Sequence, residues 1–493
     1  MPLILGAQSA TADAGYQIEK SCRFNAAASA TMSRGFGSDG SLVACTINAW
    51  TKISAPTGTQ PVVWTYVSGT NANLKFGGNY SVGEIHFYSN RSGESPAEPE
   101  LLSDAFYNDT SAWYNLHAIW DSANAVEAER MRLYVNGTRL TAFHSTSDYP
   151  QLNADFGLFN YTDGARTLTI SQKPYGGASW FDGYMANLIV CDGQTYEPSK
   201  FGEFDSDSPT IWRPIDPEEQ SLTFGTHGFW LDFADSSALG NDVSGNNNDY
   251  TTANIDAADQ ATDTPTNNFS TLNPLQYMGG SSPTFSEGAC QYVQGGSSQY
   301  YPSAGTMGLT SGKWYWEVQT TDGAKNGALH GIAGDSTVAT NYVGTNNVLG
   351  FTADQWAISA VASGYRNDNA YTTYGVGFYG NVIVGVYLDL DNNKLYFASG
   401  GTIMESGTGI DITAASSTDS GYYVPGSSYW GGDDTFQYNF GGCSAFAVTS
   451  AQQDVNGYGN FEYSPNDGGS ASFDGSAKDF LAICTKNLGS SGG

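Results

Sequence analysis

The sequence predicts an all-β protein built of two consecutive antiparallel β-sandwiches, and three observations predict it. Aromatic residues reach 14% with 31 Tyr, Gly contributes 60 of 493 residues, and charged residues are held to 14%. Tyr and Thr suit a pleated surface, while Gly, Asn and Ser suit turns. Apolar and polar residues alternate with period two in stretches such as Gly312-Lys-Trp-Tyr-Trp-Glu-Val318, the spacing of a strand. Pairs such as Asn136-Gly137 supply the positive φ angles of a tight type I′ hairpin. A helical or doubly wound enzyme is not expected from this composition, and the lack of a 20–50-residue repeat excludes solenoids and propellers.

Each element follows in chain order. Trp113-Tyr-Asn-Leu-His-Ala-Ile-Trp120 places Trp113, Asn115, His117 and Ile119 on one face and Tyr114, Leu116, Ala118 and Trp120 on the other. Both faces are largely apolar, as in a strand at the middle of a sandwich. Met131–Leu140 reads as a hairpin around Asn136-Gly137, Trp180–Val190 as a strand pair, and Phe229–Phe233 as a last strand of this half. Between Ser236 and Ser286 the composition changes: Asn241–Asp249 and Thr262–Phe269 are runs of turn formers with little to bury, the signature of a connection. The second half resumes at Gly312–Val318, where Trp314, Trp316 and Val318 share a face, and continues through Asn381–Phe397 with a turn at Asn392-Asn393. Tyr422–Pro425 and Thr435–Phe440 add strands. Burial on both faces is expected for Trp314–Val318 and Val382–Leu390. The expected division is a first sandwich over Met1–Asp235, a turn-rich connection over 236–282, and a second sandwich over 283–493.

Nineteen basic against 49 acidic residues leave a formal charge of 19 − 49 = −30. Neutralising phosphate takes a clustered basic surface, so nucleic acid and anionic lipid are not expected partners. No stretch approaches the ~18 apolar residues of a membrane span, and Met1–Gly15 lacks the basic and apolar regions of a signal peptide. Six Cys (Cys22, Cys45, Cys191, Cys290, Cys443, Cys484) lie far apart with no Cys-x-x-Cys pair. Buried thiols in a reducing cytoplasm are therefore expected rather than zinc or disulfides.

Trp113-Tyr-Asn-Leu-His, Leu133-Tyr-Val-Asn-Gly137 and Phe181-Asp-Gly-Tyr-Met-Ala-Asn-Leu together resemble a concanavalin-A-like (laminin-G-type) lectin/glucanase jelly roll. Gly312-Lys-Trp-Tyr-Trp-Glu, Val384-Gly-Val-Tyr-Leu-Asp-Leu-Asp391, Lys394-Leu-Tyr-Phe397 and Asp434-Thr-Phe-Gln-Tyr-Asn-Phe-Gly441 resemble a SPRY domain. The opening Pro2-Leu-Ile-Leu-Gly-Ala is similar to the start of bacteriophage proteins that pair these domains. Phe201-Gly-Glu, Gly228–Phe233 with Asp242–Asn246, Asp263–Phe269 and Cys484–Leu488 add to that likeness. The resemblance implies a virion or tail-associated protein made in the host cytoplasm. It would be tail-fibre or adhesin-like and non-enzymatic, binding host surface glycan or protein through sandwich loops. The alternative is a structural or decoration protein contacting other virion chains, including copies of itself in a homo-oligomer.

A third class, a polysaccharide-cleaving enzyme, is tested by the Glu-x-Asp-x-(x)-Glu pattern that aims carboxylates into a cleft. The nearest match, Glu203-Phe-Asp-Ser-Asp207, ends in Asp and runs into Ser208-Pro209, which reads as a turn. The five His are scattered, with no Gly-x-Ser-x-Gly elbow or His-Glu-x-x-His pair, and His117 reads as a core imidazole. Asp242, Asn246 and Asp249 around Gly245 offer oxygen ligands of the kind calcium takes, and a solvated turn explains the same residues equally well. The expected ligand surface is in the SPRY-like half, where Trp356, Tyr365, Arg366, Tyr371, Tyr374, Trp430, Asp433 and Asp434 fall in loops or at strand ends. Aromatic residues with polar neighbours there would suit sugar rings or a protein edge.

Overall fold

The computed structural model describes residues 4–5, 15–55, 58–67, 70–77, 83–90, 98–145, 147–160, 166–177, 179–275, 283–293, 303–321, 327–334, 348–360, 362–375, 377–378, 381–429, 434–466, 473 and 479–491. They are nearly all strand and turn, and the single α-helix among them is Thr485–Ser491. The chain divides into two units, residues 13–266 and residues 267–493 with 1–12. The short strand Ile4–Leu5 pairs with Met307–Gly308 of the second unit. All six Cys are buried free thiols.

In the first unit two sheets enclose one core. One sheet has eight described strands, in the order Thr138–Arg139, Met131–Val135, Tyr114–Asp121, Ala44–Ile53, Gly183–Asp192, Ser21–Phe24 and Gln260–Ala261, with Phe229–Leu231 also on Gly183–Asp192. The other has seven: Thr251–Ala253, Thr31–Phe36, Arg166–Ile170, Gln60–Val67, Thr70–Phe76, Ile85–Asn90 and Glu100–Leu102. Leu116, Ala118, Trp120 and Leu133 of the first sheet meet Leu74, Phe87, Leu168 and Ile170 of the second, the interdigitation of a sandwich. The hairpin at Asn136-Gly137 forms with φ of 48° and 70°. A Cβ at Gly137 would lie 2.3 Å from the Trp212 ring, so close packing as well as φ selects Gly there.

The stretch read as having little to bury is a correction. Residues 236–266 belong to the first unit, where Thr251–Ala253 edges one sheet and Gln260–Ala261 the other. Asp263 and Thr264 are each 1% exposed. Polar side chains can be buried here because each finds a partner: Asp263 Oδ2 lies 2.8 Å from Lys52 Nζ, and Trp113 Nε1 donates to Asp263 Oδ1 at 3.0 Å.

The second unit repeats the plan with nine and six described strands. Trp314, Trp316 and Val318 from one sheet and Ile332, Trp356 and Ile358 from the other build its core. Lys313–Thr320 and Ile383–Asp389 pair in register from Lys313↔Asp389 to Gln319↔Ile383. Trp314–Val318 is buried on both faces; in the second stretch burial runs from Val384 to Leu390, with Val382 and Ile383 half-buried.

Candidate functional site

Among the described residues, the surface expected in the second unit does not assemble. Trp356 lies in the strand Gln355–Ser359, only 4% exposed, with its ring edge-on to Tyr423 at 5.9 Å. Tyr374 is buried as well, its hydroxyl donating to the Thr408 carbonyl at 2.8 Å. Tyr365 is half-buried and packs edge-on to Tyr374, and Asp434 is fully buried. Of the residues expected there, Tyr371 is exposed and Arg366 half-buried on the hairpin Gly364–Asn367/Ala370–Thr373, the guanidinium standing 5.5 Å from the Tyr371 ring centroid. Trp430 and Asp433 lie outside the described residues. Gly-rich flanks made these short strands look like loops, yet cross-strand pairing turns alternate side chains inward. Trp356→Ala is accordingly expected to cost about 3–5 kcal/mol of stability, read as a lower unfolding midpoint with ligand binding unchanged. An unchanged midpoint would place the ring outside the core.

The calcium expectation meets a similar correction. Asp242 is buried, and its carboxylate accepts from Trp230 N, Ser244 N, Ser244 Oγ and Asn248 N at 2.8–2.9 Å. Asp249 Oδ1 accepts from Asp242 N, and Asn246 Nδ2 donates to the Gly225 and Gly228 carbonyls. With the Asp242 carboxylate and Asp249 Oδ1 engaged by internal donors, the loop is closed by its own hydrogen bonds, as a turn would be. No group of three or more His, Cys, Asp or Glu suited to a metal occurs among the described residues. Glu203 projects from a short hairpin onto Arg213, and Asp205 caps the turn through the Asp207 and Ser208 amides. His117 lies between Asn48 Oδ1 and the Tyr196 carbonyl.

A different constellation occupies the seven-stranded sheet of the first unit, on the face turned away from the core. In Thr70–Phe76, Ala72, Leu74 and Phe76 enter the core, which turns Asn71, Asn73 and Lys75 to the opposite face. Ile85 and Phe87 do the same for His86 and Tyr88. In Gln60–Val67 the register shifts between Pro61 and Val63, so Val62 and Val63 are both buried in the core and Trp64 is delivered to the outer face. Pairing then aligns these side chains across four strands: Trp64 opposite Asn73, Asn73 opposite Tyr88, Tyr88 opposite Glu100, with Lys75 opposite His86 in the adjoining row. Lys173 and Tyr175 stand over one side, Tyr175 stacked on Tyr66 with centroids 4.1 Å apart. Together they line a cavity of about 490 Å³, with Glu98 and Glu100 at its other side.

The polar atoms of this cavity are unevenly satisfied. Glu100 Oε2 lies 2.7 Å from His86 Nε2, and Asn90 Nδ2 donates to Glu98 at 2.8 Å. Burial holds the His86 pKa below its ordinary value, so the neutral ring donates from Nε2 to the carboxylate and leaves Nδ1 as an acceptor. His86 Nδ1, Asn73 Oδ1 and Trp64 Nε1 are buried with no hydrogen-bond partner among the described residues. These three residues are 3%, 1% and 6% exposed. Buried polar groups are nearly always paired, and three unpaired ones lining a single cavity mark a place where a polar ligand or water completes the bonding. Burial also pushes the Lys75 ammonium down to about 8, with Lys173 adding repulsion, and pushes the Tyr88 phenol up to about 12. The sequence reading missed this face, although Thr70-Asn-Ala-Asn-Leu-Lys-Phe76 and Ile85-His-Phe-Tyr-Ser-Asn90 carry the signal. Polar and aromatic residues alternate there with apolar ones on adjacent strands.

No family model matches the chain, and no curated protein matches it. Among solved structures it is similar to the SPRY domain of human HERC1, at 15% identity and a TM-score of 0.27, over 36% of this chain and 99% of that one. The TRIM65 PSpry domain overlaps at 14% identity and a TM-score of 0.27, over 34% of this chain and 88% of that one. A Bacteroides ovatus protein to which carbohydrate binding has been ascribed overlaps at 14% identity and a TM-score of 0.30, over 48% of this chain and 58% of that one. These are loose overlaps of sandwich with sandwich.

Proposed function

We propose that this chain is a non-enzymatic binding protein of a bacteriophage virion, tail-fibre or adhesin-like, that engages host-surface glycan through the outer face of the seven-stranded sheet. The observation that carries the glycan reading is the set of unpaired Trp64 Nε1, Asn73 Oδ1 and His86 Nδ1 beside the Tyr88 and Tyr175 rings. A sugar presents hydroxyls that donate and accept at once, and a carbon face that stacks on aromatic rings. The virion assignment rests on the sequence resemblance.

The test is binding of the whole chain to a glycan array and to host envelope fractions, with Tyr175→Ala and Asn73→Ala beside the wild type. Tyr175 is 56% exposed, so its loss leaves folding intact. Each variant is expected to weaken binding at least tenfold, about 1.4 kcal/mol, at an unaltered melting temperature for Tyr175→Ala. Binding that survives both changes but disappears with Tyr371→Ala would move the site to the second unit. Release of shortened oligosaccharide during incubation would overturn the non-enzymatic part.

A further inference from the structure

We infer that the ligand of this cavity is an acidic sugar, one carrying a carboxylate or sulfate that sits between the ammonium groups of Lys75 and Lys173 over Trp64. The inference rests on the glycan reading above and deepens it. Lys75 Nζ lies 5.4 Å and Lys173 Nζ 5.8 Å from the centroid of the same Trp64 ring. Neither ammonium forms a salt bridge or hydrogen bond among the described residues; the Trp64 ring is their shared neighbour. The nearby carboxylates are already engaged, Glu100 by His86 and Glu98 by Asn90. Two cations thus converge on one ring without contacting either carboxylate, while Glu98 and Glu100 stand at the other side of the same cavity. They do so in a chain of net charge −30 with only 19 basic residues.

The unpaired atoms sort by the same logic. Lys75, Lys173 and Trp64 Nε1 are donors, and an anionic oxygen pair is the acceptor that satisfies several donors at once. Asn73 Oδ1 and His86 Nδ1 are acceptors, suited to ring hydroxyls. The half-buried setting strengthens such charge pairs over their worth in water. The lowered Lys75 pKa, caused by burial first and Lys173 second, is the strain that an incoming anion relieves. Overall negative charge slows the approach of acidic polymers at long range and leaves the local attraction intact.

Calorimetric titration of the full chain with three matched oligosaccharides tests this: a uronate-bearing one, its carboxyl-reduced neutral counterpart, and a sulfated one. The uronate or the sulfated sugar is expected to bind at least tenfold more tightly than the neutral counterpart, and whichever is tighter identifies the anion. Lys173→Met, at a half-buried position, is expected to bring the charged-to-neutral ratio to near one while the melting temperature holds. Lys75→Met should do the same if it folds. For the wild type the ratio should fall between pH 7 and 9 as Lys75 loses its proton. Equal binding of all three sugars overturns the inference and leaves the glycan reading standing; no binding of any sugar overturns that reading itself.

Discussion

Asp263→Ala is expected to destabilise the first unit by about 3–5 kcal/mol, the cost of removing one member of a buried ion pair. Lys52 and Asp263 are each 1% exposed at the side chain and 2.8 Å apart. Removing the carboxylate leaves the ammonium facing the Tyr184 ring, 5.9 Å from its centroid, and takes the acceptor from Trp113 Nε1. The pair links the strand Ala44–Ile53 to the run after Gln260–Ala261, so its loss loosens one edge of the eight-stranded sheet. Denaturant unfolding would show the first-unit transition moving to lower concentration. The double variant Lys52→Met with Asp263→Leu is expected to recover most of the loss, because an apolar pair of similar volume needs no compensation. Equal midpoints for wild type and Asp263→Ala would mean that water reaches the ammonium.

A second large effect is expected at Glu317, which is fully buried in the other unit. Its Oε1 accepts from Tyr463 N at 2.7 Å and Tyr315 Oη at 3.0 Å, and its Oε2 from Asn439 Nδ2 at 3.0 Å and Glu462 N at 3.1 Å. The carboxylate so fastens residues 462–463 across the outer face of the sheet, beside Tyr315, Tyr387 and Phe461. Burial pushes its pKa up to about 7, and the four donors pull the other way. With the folded value above the unfolded one, the folded unit holds a proton that the unfolded chain has released between about pH 4.5 and 7. Stability is therefore highest at the acid end of this window and falls as pH rises through it, by about 3 kcal/mol in all. Glu317→Gln removes the titrating group and is expected to flatten that slope. It also costs roughly 1–3 kcal/mol, because its amide turns N–H groups toward two donors. Melting temperatures at half-unit steps from pH 4.5 to 8 decide it; parallel profiles for the two proteins would refute the assignment.

Much of the fold was legible because strand periodicity is a local property. Trp314, Trp316 and Val318 share a face by spacing alone, and they enter the core. Asn136-Gly137 turns where its φ preference requires, and His117, alternating with Leu116 and Ala118, is held by Asn48 and Tyr196. Trp356 and Tyr374 show where local reading stops. Their Gly- and Asn-rich neighbours signal loops, while the partners that bury them, Tyr423 and Phe397, lie 67 and 23 positions away by residue number.

The sequence by itself determined the all-β class, the succession of two sandwiches and the facing of strands such as Trp113–Trp120 and Trp314–Val318, because these follow from alternation, turn chemistry and composition. Only the tertiary structure decided what the polar residues do. Asp242 and Asp263 carry the same side chain in turn-rich runs, yet one closes a loop on backbone amides and the other neutralises Lys52. Trp64, Asn73, Tyr88 and Glu100 come from four separate strands, and nothing in their spacing brings them together. Register does: a shift between Pro61 and Val63 and three successive antiparallel pairings set them across one face. A one-residue slip in any of those pairings would send the same residues into the core.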